Sequence, residues 1–260
     1  MQRKALSLTS GRRAGSTGGV SLEALQNALP RRGPDGTRSL ARSASASLTA
    51  WATEQIRQAI VEGRLPLGGA LSELKLAAAL GVSRTPVREA LSALQQQGLI
   101  DIQPQSGSFV FMPSEEAVGE LCEFRRITEV AALRLCFARR RDDALRQMRA
   151  ASDAMERATK AGDDISIALA DAAFHQAIAD NSANGHLIEA YKLISGRIGA
   201  LLTYNLTDST AARKRSMAEH RAIIAAFAKG DIDRAEAILD EHVSRMRIVF
   251  RAARSLAAAD

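Results

Sequence analysis

A chain of 260 residues can hold two modest domains, and 46% hydrophobic with only 4% aromatic residues is a soluble, globular composition. No apolar run is long enough to span a bilayer, and the basic N-terminus lacks the apolar stretch of a secretory signal, so a membrane partner is not expected. The net charge of +6 is a poor guide to function: residues 1–46 hold eight Lys/Arg against two Asp/Glu, while residues 47–112 hold five of each and residues 113–260 twenty-two of each.

Residues 1–46 contain "GRRAGSTGG", "PRRGPDGTR" and "RSASAS". Gly, Ser, Arg and Pro without a period read as a disordered basic tail. Within it "SLEALQNAL" can form a transient helix. A basic tail of this kind adds non-specific attraction to DNA or is simply a leader.

Residues 47–63 read as a helix with Leu48, Trp51, Ile56, Ile60 and Val61 on its apolar stripe, stopped by Gly63 and Pro66. A second helix runs from about Ser72 to Leu80 and stops at Gly81. A third starts within "SRTP", where Ser83 or Thr85 can cap it and Pro86 falls in the first turn, and ends at Gly98. "LIDIQ" and "SFVF" then flank "PQSG" as a hairpin. This is the layout of a winged helix-turn-helix over residues 47–112. The start of the third helix points outward with Ser83, Arg84, Thr85 and Arg88. Arginines there can grip guanine or neutralise phosphate, and hydroxyls can hold phosphate oxygens. Gly107 lets the wing tip approach a DNA backbone.

The stretch "GRLPLGGALSELKLAAALGVSRTPVREALSALQQQGLIDIQPQSGSFV" resembles the winged helix of the GntR family of bacterial transcription regulators. The resemblance implies DNA contacts at Arg84, Thr85, Arg88 and Gly107. Two positions depart from the family pattern: Leu67-Gly68, where Pro-Gly is usual, and Leu74, where some relatives carry arginine.

After Pro113 the pattern is helical throughout, at about 114–138, 142–161, 164–181, 185–206, 209–229 and 232–255, with "KAGDD", "NSANG", "LTDST" and "KGDID" as breakers. The fold class is therefore mainly α: a winged helix followed by an all-α bundle of six or seven helices over residues 114–255. Cys122 and Cys136 share one helix about 21 Å apart, too far to bridge. Two stray thiols fit a reducing cytoplasm.

Four histidines lie in the bundle. His186 follows "NSANG" and reads as a surface or cap residue. Asp171 and His175, four apart, are neighbours on one helix face. His220 and His242 lie eleven residues either side of Asp231, so an antiparallel hairpin brings them level, about 16 Å from its turn. Three imidazoles and a carboxylate can bind Zn²⁺, Ni²⁺, Mn²⁺ or Fe²⁺. Separate hydrogen-bonded histidines remain the alternative from spacing alone.

Residues 114–255 also resemble the ligand-binding domain of the FadR-like branch of the same family, often called FCD. "DAAFHQAI", "AEHRAIIAAFAKGDIDRAEAILDEHV" and "FRRITEVAALRL" carry the likeness. It implies a metal on Asp171, His175, His220 and His242 beneath a pocket for a small organic acid, with Asn184 at a family position. Arg125 is the first candidate to clamp that acid and Arg197 the second, each with a plain ion-pair or solvent role as its alternative. The expected protein is not an enzyme but a cytoplasmic, homodimeric regulator that binds a double-stranded operator. A metalloenzyme and a metal used only as a structural staple are the competing readings.

Overall fold

The computed structural model describes residues 19–29, 41–205 and 210–257. Helix starts follow side-chain caps: Ser21, Ser72, Ser114, Asp163 and Asp231 each accept from the backbone N–H three residues on. In chain order the elements are α1 (Leu22–Ala28), α2 (Ala41–Val61), β1 (Ala70–Leu71), α3 (Glu73–Leu80), α4 (Arg84–Gln96), β2 (Ile100–Gln103) and β3 (Gly107–Val110). There follow α5 (Glu115–Arg139), α6 (Arg141–Ala161), α7 (Asp164–Asn181), α8 (Gly185–Asn205), α9 (Thr210–Lys229), α10 (Ile232–Ser244) and α11 (Met246–Ala257).

The helix-turn-helix is α3 and α4. Gly81 ends α3 in the left-handed region at φ 70°, which a side chain would strain. The wing is an antiparallel sheet in the order β1-β3-β2, with Ala70 opposite Phe109 and Gln103 opposite Gly107. β1 was not read from the sequence: two residues are too short to show an alternation.

The tail is the first correction. Within residues 1–46, which read as disordered, α1 is an ordered helix. Leu25, Ala28 and Leu29 are buried in the same core as Leu76, Leu80 and Val87. The Val20 N–H donates to the Ala70 carbonyl at 2.9 Å, so the chain before α1 extends the free edge of β1. α2 also starts earlier, at Ala41. Residues 1–18 and 30–40 lie outside the described residues.

The second correction is in the last helix, read as continuous over 232–255. It breaks at Arg245 into α10 and α11. Ser114, at the expected junction, caps α5. The two halves then share one core. Gly196 and Gly199 let α8 lie against Leu99 and Val61: a Cβ at either would fall 2.9–3.0 Å from those side chains. The Thr203 hydroxyl donates to the Val61 carbonyl at 2.7 Å. Cys122 and Cys136 are buried free thiols.

The burial of α1 makes a test. Leu25→Ala removes a fully buried side chain and is expected to cost about 2–5 kcal/mol in urea unfolding. A change below about 0.5 kcal/mol would show that α1 is not part of the folded core.

Candidate functional site

The four candidate ligands come from three helices. Asp171 and His175 are one turn apart on α7, His220 is on α9 and His242 on α10. Their ligand atoms all lie within 4.8 Å of one another. His175 Nε2 and His242 Nε2 are 3.1 Å apart, and His220 Nε2 and His242 Nε2 are 3.3 Å apart. Asp171 Oδ1 accepts from the Ser216 hydroxyl at 2.9 Å, while Oδ2 is buried with no hydrogen-bond partner. Oδ2 lies 3.7 Å from His175 Nε2, and Oδ1 lies 3.6 Å from His220 Nε2.

Two carboxylates set the tautomers. Glu129 Oε2 is 2.6 Å from His175 Nδ1, and Glu219 Oε2 is 2.8 Å from His242 Nδ1. A carboxylate draws the ring proton to the nitrogen beside it, so these two Nε2 atoms carry lone pairs. Lone pairs 3.1 Å apart repel unless a cation lies between them. A proton could serve, but burial pushes the His220 imidazole well below its ordinary pKa and lowers His242 despite the pull of Glu219. Burial raises the Asp171 carboxyl, yet the three imidazoles outweigh it and leave that pKa below its usual value. This donor set, three imidazoles and an unpartnered carboxylate oxygen, fits a divalent first-row metal.

Phe174 supports the cluster. It is fully buried, and His220 stacks on it at 3.9 Å between ring centroids. Glu219 also accepts from Arg215 and pairs with Arg245. Burial raises the Glu219 carboxyl, but His242 and those arginines hold it down at about 2.

Arg125 is fully buried one turn before Glu129 on α5. Its Nε donates to Glu129 Oε1 at 2.7 Å. Glu129 thus joins Arg125 to His175. Burial raises the Glu129 carboxyl, but Arg125 and then His175 hold it well below the usual range. Arg125 Nη2 is buried with no partner. Arg125 lines a cavity of about 380 Å³ together with Asp171, Asn205, Ser216, His242 and Met246. Asn205 Oδ1 is buried and unpartnered too. A groove of about 540 Å³ between α5 and α10 is larger, but it is shallow and holds none of the four ligands.

Two sequence candidates do not meet this cavity. Asn184 accepts from the Leu187 N–H and caps α8, so its side chain serves the helix start. Arg197 packs under Gly98 of the winged helix, where a Cβ would lie 3.2 Å from Arg197 Cδ. Burial lowers its pKa. His186 is exposed, as read. Sequence reasoning missed Glu219, Ser216, Asn205 and Arg245 as members of the site. Only Glu219 carried a signal, as the acid preceding a candidate ligand.

At the other end of the molecule, Ser83 is the N-cap of α4 without a side-chain cap bond, so its hydroxyl is left over. Arg84 and Arg88 are exposed, and both reach Glu73 on α3. Thr85 is exposed beside them. Gly107 opens β3 at φ 111° with nothing within 4 Å of a Cβ position.

Residues 48–110 match the bacterial regulatory proteins of the gntR family, and residues 120–245 match the FCD domain. The chain is 31% identical over 185 residues to the "Probable D-xylose utilization operon transcriptional repressor" of Paenarthrobacter nicotinovorans, covering 71% of this chain and 80% of that one. It is 31% identical over 204 residues to an uncharacterized HTH-type transcriptional regulator of Streptomyces ambofaciens, covering 75% and 80%. Among solved structures, a "putative transcriptional regulator GntR" from Rhodococcus sp. RHA1 superposes with a TM-score of 0.72 at 25% identity, covering 79% of this chain and 98% of that one. These relatives are transcriptional regulators, not enzymes.

The buried ion pair yields a stability test. Glu129→Gln leaves the Arg125 guanidinium without its counter-charge in the core and is expected to cost about 3–5 kcal/mol in urea unfolding. A loss below about 1 kcal/mol would show that Arg125 reaches solvent or another anion.

Proposed function

The chain belongs to the GntR family, with an FCD domain behind its winged helix, and we propose that it reads an operator as a homodimer controlled by a small organic acid bound beside a divalent metal. It is a DNA-binding transcriptional regulator. A winged helix-turn-helix reads one half-site, which is the reason to expect two copies. Ser83, Arg84, Thr85 and Arg88 at the start of α4, with Gly107 at the wing, are the proposed DNA contacts. In this reading the domains are residues 47–112 for DNA and 114–255 for metal and effector.

The observation that carries the effector reading is the cavity beside the histidines. Asp171, His175, His220 and His242 would hold the metal, which when bound supplies a Lewis-acid contact for a carboxylate oxygen. Arg125 Nη2, buried and unpartnered, would pair with the anionic end of the ligand. Asn205 Oδ1 is an acceptor without a donor, so it suits a ligand hydroxyl. A hydroxy acid or sugar acid meets both needs, and one relative is named as a probable repressor of a D-xylose utilization operon. A metal serving only as a staple would leave these two polar atoms without a partner. Control of DNA binding requires the acid to bind one bundle arrangement better than another.

Two measurements test this reading. A panel of hydroxy and sugar acids is screened by thermal shift on metal-loaded protein. A fitting acid at 100 times its Kd is expected to add about 2.7 kcal/mol of stability, and His220→Ala is expected to abolish the gain. Equal shifts with and without metal would remove the metal from the effector site. In gel shifts, Arg88→Ala is expected to weaken binding to the DNA upstream of the gene by about 1–3 kcal/mol. Unchanged binding would take Arg88 out of the interface.

A further inference from the structure

Glu73 is the first residue of α3, where an acid already suits the positive end of the helix. Its side chain does more than that. Oε1 accepts from Arg88 Nε at 3.0 Å, Oε2 accepts from Arg88 Nη2 at 2.9 Å, and Oε2 also accepts from Arg84 Nη2 at 3.3 Å. One carboxylate therefore holds the fork of Arg88 and touches Arg84. Among the described residues no other carboxylate pairs with either arginine. Of the other acids of the winged helix, Glu54 pairs with Arg57, Glu62 pairs with Arg64, and Glu89 accepts from Thr49.

Ion pairs this exposed contribute little to stability: the arginine side chains are 59% and 66% exposed. Their position gives Glu73 its effect. A phosphate approaching Arg88 must compete with a carboxylate that already holds its Nε and Nη2, and that carboxylate repels the phosphate. Non-specific DNA offers phosphates alone. A cognate site also offers acceptor pairs on guanine that match the fork two for two. The carboxylate thus subtracts more from non-specific binding than from specific binding. We infer that Glu73 is a positioning residue that raises sequence discrimination by holding Arg84 and Arg88 away from phosphates until matching bases are met. The inference rests on the reading of Arg84 and Arg88 as DNA contacts.

The test uses the full-length protein and two duplexes: the one most enriched by the wild type from a random library, and a shuffled duplex of equal length and composition. Kd is measured on both across a salt series. Glu73→Gln keeps the shape and removes the charge. It is expected to tighten binding to the shuffled duplex severalfold, to change the enriched duplex less, and to steepen the salt slope on shuffled DNA by about 0.9, one added phosphate contact. Glu73→Asp is expected to retain the wild-type ratio of the two Kd values. Glu62→Gln removes one charge from the same domain away from the arginines and is expected to leave that ratio unchanged. An unchanged ratio in Glu73→Gln, weaker binding to both duplexes, or an equal effect of Glu62→Gln overturns the inference. If Arg88→Ala weakens binding while Glu73→Gln has no effect, the inference alone falls. If Arg88→Ala binds both duplexes like the wild type, the contact reading falls and takes the inference with it.

Discussion

The C-terminal half is organised around a repulsion. Three imidazole edges from α7, α9 and α10 point at one another inside the bundle, with two Nε2 pairs at 3.1 and 3.3 Å. The His175 and His242 rings, with their lone pairs facing one another, do not hold this arrangement by themselves. The surrounding carboxylates define it: Glu129 and Glu219 fix the outer nitrogens, and Ser216 fixes one oxygen of Asp171. The His175 and His242 rings are thereby oriented by groups that are not themselves candidate ligands, while His220 is held by stacking on Phe174. Such outer partners raise the basicity of the nitrogen that faces the centre.

Glu129 links this centre to the cavity, because the same carboxylate holds Arg125. The cavity in turn reaches α8 through Leu202 and Asn205. α8 is the helix that lies on the winged helix, with Thr203 bonded to Val61 and two glycines allowing close approach. A continuous set of packed side chains therefore runs from the histidines to the DNA-reading half. Contiguity of this kind is a physical route for coupling; two discrete arrangements of α8 would be its demonstration.

Much of this was legible in sequence because it depends on local geometry. Asp171 and His175 share a face by helical repeat, and His220 and His242 meet because eleven residues on each arm of one hairpin rise equally. The partners that complete the site were less legible. Glu129 reaches His175 from 46 residues away, and Asn205 and Arg245 meet the cavity only through packing. Arg197 and Asn184 were plausible by resemblance, yet rotation about α8 turns one toward Gly98 and the cap geometry uses the other. The break at Arg245 was hidden because the apolar period continues across it. α1 was hidden for the opposite reason: its few apolar residues sit in a stretch dominated by Gly, Ser and Arg, and only the groove beside α3 gives them something to bury against.

The central claim is that the facing imidazoles are ligands of a cation. The most direct measurement is anomalous diffraction from crystals of the protein purified without chelator, collected across first-row metal absorption edges. The account predicts one anomalous peak among His175 Nε2, His220 Nε2, His242 Nε2 and an oxygen of Asp171, at about 2.0–2.2 Å from each for zinc. A map with no peak there, and the rings rotated to hydrogen-bond one another or a water, would contradict it.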